Sequence, residues 1–142
     1  ATTWTPEATY TVRFDTTLTA EGGGRLREVF TSTFRTAPFK IIQYSPPDGI
    51  VNHPADYPLW IYFNDDIDTT TVRASFAMRD SAGGSIAGHF LLSPQYPAQF
   101  GFLPEPALVR GAFYSVTISD ALRSVHGYQL KAPLTFSFRT AP

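Results

Sequence analysis

The stretch Tyr10-Thr11-Val12-Arg13-Phe14 returns as Tyr114-Ser115-Val116-Thr117-Ile118, and Thr33-Phe34-Arg35-Thr36-Ala37-Pro38 returns as Ser137-Phe138-Arg139-Thr140-Ala141-Pro142. Between these blocks Leu18 answers to Leu122, Gly23 to Gly127 and Leu26 to Leu130. One ungapped offset of 104 residues, from Tyr10 to Tyr114 and from Pro38 to Pro142, accounts for every match. A fixed period of this kind marks stacked or chained modules. Residues 39–142 are therefore expected to be a complete module, and residues 1–38 the closing strands of a preceding one. Both copies end on Thr-Ala-Pro, and proline fixes its own φ and restricts the residue before it. That suits a short, stiff link between neighbours.

The repeated blocks read as β. Tyr10, Val12 and Phe14 alternate with Thr11 and Arg13, the period of a strand with one buried face. The same pattern covers 114–118 and 134–138, and partly 30–34. Further strands are expected over 39–44, 58–63, 75–79, 86–92 and 99–103, where β-branched and aromatic residues gather. Pro46-Pro47-Asp48-Gly49 is turn chemistry, with preset φ and then a glycine free to take positive φ. Asp80-Ser81-Ala82-Gly83-Gly84 reads as a hairpin loop, and Gly22-Gly23-Gly24 as the connection within the first partial copy. The single helical candidate, 68–74, has Asp68 as its N-cap but three consecutive threonines, so one or two turns are expected. About seven strands separated by turns argue an all-β, two-sheet Greek-key β-sandwich, preceded by a β-hairpin from the partial repeat. An up-and-down barrel is the alternative; the tandem period favours the sandwich, whose ends lie at opposite poles.

Composition narrows the function. Only 16% of the 142 residues are charged and 15% are aromatic, the reverse of a disordered chain. A net charge of −1 supplies no field for nucleic acid or anionic lipid. There is no cysteine, which excludes disulfides, thiolate metal sites and cysteine nucleophiles. No apolar run approaches the roughly 20 residues of a membrane span.

Residues 39–142 resemble the bacterial Ig-like domain of the SbsA (S-layer protein) type. The resemblance rests on Tyr44-Ser45-Pro46-Pro47-Asp48-Gly49, then Leu59-Trp60-Ile61-Tyr62-Phe63 with the acidic run Asn64 to Thr69. It continues through Phe76 to Gly88 and closes on Tyr114 to Val116 and Phe136 to Thr140. It implies an Ig-like sandwich that acts as a spacer or adhesive stalk in exported bacterial proteins. The periplasmic copper-binding CopC type shares the opening turn and the Phe-ending strand. Its metal site uses histidines that include one at the mature N-terminus; here residue 1 is Ala and the first 38 residues hold no His, which argues against copper.

Candidate chemistry is sparse. Asn64, Asp66 and Asp68 imitate the start of a calcium loop, but Thr69 stands where glycine is needed and Ser75 where the bidentate glutamate belongs. His53, His89 and His126 lack ligand spacing and are expected to pack or lie on the surface. Gly83-x-Ser85-x-Ala87 misses the nucleophile-elbow pattern, and a strand rather than a helix follows it. Gly22-Gly23-Gly24 lacks the lysine and helix of a phosphate loop. Trp4, Tyr57, Trp60 and Tyr96 would offer sugar-stacking rings if aligned; core or interface packing is the expected role, with Trp4 covering the end of the partial copy. The expectation is a non-catalytic structural module, with no catalytic, metal or cofactor-binding residues, located outside the cell, on its surface or in the periplasm. A carbohydrate- or protein-binding module is the alternative, ahead of a metal-binding sandwich. The expected partners are neighbouring domains of the same chain. Two strands alone are marginal in water, so residues 1–38 are expected to pack on 39–142 or to self-associate through their free edges.

Overall fold

The structure, a computed structural model, describes residues 4–142. The chain divides into two compact units, the second of which spans Phe39–Pro142.

In the first unit β1 (Thr9–Phe14) and β2 (Phe30–Arg35) form an antiparallel hairpin. Its register runs from Thr9 opposite Arg35 to Phe14 opposite Phe30. The long connection is folded back on itself. The Asp15 carboxylate accepts the Thr17 amide at 2.8 Å, and the Leu26 amide reaches the Leu18 carbonyl at 3.2 Å. Gly23 turns the chain at φ 78°, a conformation that favours glycine.

The second unit contains β3 (Ile41–Ser45), β4 (Leu59–Phe63), α1 (Thr69–Ser75), β5 (Phe76–Asp80), β6 (Gly88–Leu91), β7 (Gln99–Pro104), β8 (Phe113–Ile118) and β9 (Leu134–Arg139). One sheet has the order β3-β4-β7-β6 and the other β5-β8-β9, with all ladders between named strands antiparallel. Lettered A to G in chain order, these are sheets ABED and CFG, the arrangement of a constant-type immunoglobulin sandwich. Two separate sheets replace the barrel alternative.

Alternation builds the interior. Along β4, Leu59, Ile61 and Phe63 are buried while Trp60 and Tyr62 are half-buried on the other face. From the facing sheet Met78, Val116, Ile118, Phe136 and Phe138 close the core. Two sheets meeting in this way bury a layer about 10 Å thick. The helix α1 begins where Asp68 accepts the Thr70 amide at 3.0 Å, satisfying one of the amides a helix leaves unpaired. It lasts seven residues, buries Val72, and runs directly into β5.

Candidate functional site

Three side chains of the acidic run, Asn64, Asp65 and Asp68, are engaged by the fold. The Asn64 side-chain carbonyl accepts the Lys40 amide at 2.9 Å. Asp65 accepts the Asp66 amide at 2.9 Å and meets His126 Nδ1 at 3.1 Å. Asp68 takes both the amide and the hydroxyl of Thr70, which hold its carboxyl below the usual range, the hydroxyl contributing most. Among the described residues no group of three or more His, Asp or Glu is placed to hold a metal ion.

The histidines are dispersed. His53 is buried, its ring edge against Phe138 at a centroid distance of 4.9 Å. Burial pushes its pKa down, and the Tyr57 carbonyl 3.3 Å from Nε2 opposes this only in part. His89 pairs with Glu105 on the surface. Ser85 lines a groove of about 340 Å³ between β5 and β6, with Phe76, Met78, Ile86 and Phe90. No histidine or carboxylate lines that groove. A second groove, about 530 Å³, opens between the edge strands β3 and β9 and is lined by Ile41, Ile42, Tyr44, Pro47 and Leu134.

The aromatic candidates are spread over both units and several elements. Trp4 lies in the first unit, edge-on to Tyr10 at 4.5 Å and to Phe34 at 5.4 Å. Tyr57 precedes β4 and Tyr96 lies between β6 and β7; both are exposed. Trp60 spreads over Gly101 of the neighbouring strand, so that a Cβ at residue 101 would sit 3.0 Å from the indole. Among the described residues of the second unit no ring contact joins any two of Tyr57, Trp60 and Tyr96.

What the geometry does concentrate is backbone pairing between the first and last segments of the second unit. After the turn at Pro47–Gly49, where Gly49 has φ 77°, the chain leaves β3 and runs parallel to β9. The Gly49 amide donates to the Ser137 carbonyl at 2.7 Å and the Arg139 amide to Ile50 at 2.8 Å. The His53 amide donates to Arg139 at 3.1 Å and the Ala141 amide to His53 at 2.9 Å. Asp48 adds a side-chain acceptor for the Ser137 amide at 2.8 Å. The turn was legible in the sequence; the parallel pairing beyond it was not, because Ile50 to His53 carry no strand alternation.

This ladder sits between two poles. The carbonyl of Phe39, the first residue of the unit, is held by the Lys131 amide at 3.0 Å, just ahead of β9. Ala141 is held just beyond its far end. The six residues of β9 therefore separate the point where the chain enters from the point where it leaves, by about 20 Å.

Comparison with known proteins agrees with this architecture. The solved structure of CopC from Methylosinus trichosporium OB3b superposes with a TM-score of 0.59 at 17% identity, over 73% of this chain and 94% of that one. The N-terminal part of the bacterial S-layer protein SbsC gives a TM-score of 0.54 at 16% identity, over 73% of this chain but 24% of that one. The LD transpeptidase LdtMt1, solved in complex with imipenem, gives 0.52 at 20% identity, over 72% and 39%. At such identities the likeness is one of fold. Among curated proteins no relative matches. The sequence profile of the bacterial Ig-like domain matches residues 35–140, and the chain belongs to the bacterial Ig-like domain family.

Proposed function

We propose that Phe39–Pro142 is a load-bearing spacer of the SbsA type in a multi-domain, exported bacterial surface or secreted protein, and that it performs no chemistry of its own. One observation carries the reading: the parallel ladder between Gly49–His53 and Ser137–Ala141. Tension applied through the two ends draws parallel neighbours in opposite directions, one from its N-terminal side and one from its C-terminal side. All the ladder bonds then stretch together, whereas an antiparallel hairpin pulled at its open end parts one bond at a time. The separation of the poles along β9 adds length with each module. Family membership and the likeness of fold to an S-layer protein support the same role.

Single-molecule stretching tests this. Pulling through residues 39 and 142 is expected to need a markedly higher force than pulling through residues 83 and 142, which loads β5 against β8 from one end. Equal forces in the two geometries would remove the ground for a load-bearing role.

A further inference from the structure

The β1–β2 hairpin reproduces, bond for bond, the frame of β8–β9. The register Thr9–Arg35 to Phe14–Phe30 becomes Phe113–Arg139 to Ile118–Leu134 after 104 residues. The bridge Thr19–Arg25 becomes Arg123–Gln129. The Thr5 amide donates to the Tyr10 hydroxyl at 2.8 Å, and the Val109 amide to the Tyr114 hydroxyl at 2.9 Å. Arg35 Nε donates to the Glu7 carbonyl and Arg139 Nε to Gly111. Glu7 has φ 56° where Gly111 has 67°. A non-glycine residue in the left-handed region is uncommon, so this corner of the frame is kept even at a conformational cost.

The frames match while their surroundings differ. Val116, Ile118, Leu122 and Phe138 are fully buried beneath the β3-β4-β7-β6 sheet. Their counterparts Val12, Phe14, Leu18 and Phe34 are 39–50% exposed. Phe30 is also exposed, and Trp4, at the position of buried Leu108, rests on Tyr10 and Phe34. Side chains in contact with one another and open to water on one face mark a surface that takes a partner.

We infer that this face is the seat of a second Ig-like half: a four-stranded sheet with a β5-type edge strand, supplied by the stretch of the same polypeptide that precedes residue 1. The established interface inside Phe39–Pro142 defines what that occupant must do. Its β5-type strand pairs antiparallel with β1, as β5 pairs with β8. Its post-turn segment runs beside β2, as Gly49–His53 runs beside β9. The match breaks at Ser32, which stands where Phe136 meets Tyr44 at 4.7 Å, so the covering sheet carries extra bulk there. The inference concerns the first unit and stands whether or not the second unit bears load.

The test compares amide exchange in the 1–142 chain with exchange in a chain carrying a duplicate of residues 39–104 ahead of residue 1. A second version of the extended chain also carries Ser32→Phe, which restores the missing ring. In the 1–142 chain the β1 and β2 amides are expected to exchange far faster than those of β8 and β9, equally at micromolar and millimolar concentration. In the extended chains they slow by about a hundredfold or more, as amides in a cooperative core do. Val12→Asp reverses that gain and leaves β8 and β9 untouched. An extension that leaves the hairpin as open as before, in both versions, overturns the inference. So does a 1–142 chain whose hairpin gains protection with concentration, because the occupant is then a second copy.

Discussion

The Asp48 carboxylate accepts the Ser137 amide at 2.8 Å, joining the turn after β3 to the last strand, β9, across 89 residues of sequence. The Ser137 hydroxyl lies 3.3 Å from the same oxygen. Asp80 makes a comparable pair of bonds, to the Ala82 and Gly84 amides at 2.9 and 2.7 Å, but inside one hairpin loop. Asp48→Ala and Asp80→Ala should each cost about 0.5–1.5 kcal/mol per bond lost in equilibrium unfolding. Under tension they should part company. Asp48→Ala lowers the unfolding force, and Asp80→Ala leaves it near that of the parent, because only the first lies on the load path. Matching drops in force would show that the ladder is not where the module resists.

Gly88 pairs with Pro104 on the edge of the four-stranded sheet. A Cβ there would collide with the Leu103 carbonyl oxygen and sit 2.6 Å from the Phe102 ring. Backbone cannot yield as a flexible side chain can, so Gly88→Ala should destabilise the sandwich by about 2–3 kcal/mol. Gly24→Ala is the control: nothing lies within 4 Å of its Cβ, and the change should stay within about 0.5 kcal/mol. Thermal unfolding of the two variants decides the matter, and an unshifted midpoint in Gly88→Ala would contradict the close approach.

Most of the fold was legible because alternation marks half-buried strands so directly. Tyr114, Val116 and Ile118 point inward as their spacing requires, and Asp68 caps a short helix as an aspartate directly ahead of threonines suggests. Two features were not legible. Ile50 to His53 have no period, so their pairing with β9 depends on where the turn delivers them. The role of Gly101 beneath Trp60 depends on strand register, which places Trp60 opposite Gly101. Exposure was also not legible: Tyr57 and Tyr96, expected to pack in the core or an interface, stand on loops open to solvent, and only Trp60 lies against a neighbouring strand.

His53 makes stability depend on pH in a defined window. Burial against Phe138 and Tyr57 disfavours the imidazolium, so the folded-state pKa lies below the ordinary 6.5. The unfolded chain takes up the proton first as pH falls. The stability due to the neutral ring is therefore complete above 6.5 and declines as pH drops from there toward the lowered native value. Asp15 and Asp68 act in a separate, more acidic range. Their carboxyls are held below 3.8 by Thr17 and Thr70, and their contribution is lost only as pH falls from about 3.8 through the lowered values. Melting midpoints across mildly acidic pH should fall in the parent and stay flat in His53→Phe. An equal slope in both would assign the dependence to another group.

The strongest check on the repeated frame is one substitution made twice. Thr140 is fully buried; its hydroxyl accepts the Ala112 amide at 3.0 Å and lies 2.6 Å from the Val109 carbonyl. Thr36 holds the Ala8 amide at 3.0 Å and bonds the Thr5 carbonyl in the same way, but it is only half-buried. Thr140→Val leaves the Ala112 amide and the Val109 carbonyl facing a fully buried apolar side chain, and should cost about 1–3 kcal/mol. At Thr36 the freed groups can turn to solvent, so Thr36→Val should leave the main unfolding transition within about 0.5 kcal/mol of the parent. Once the first copy is completed by its covering sheet, the two costs should converge, because burial and not the local bonding pattern is what separates them. A Thr36→Val variant that stays silent in the extended chain, while Thr140→Val remains costly, would mean that identical frames need not have identical interiors.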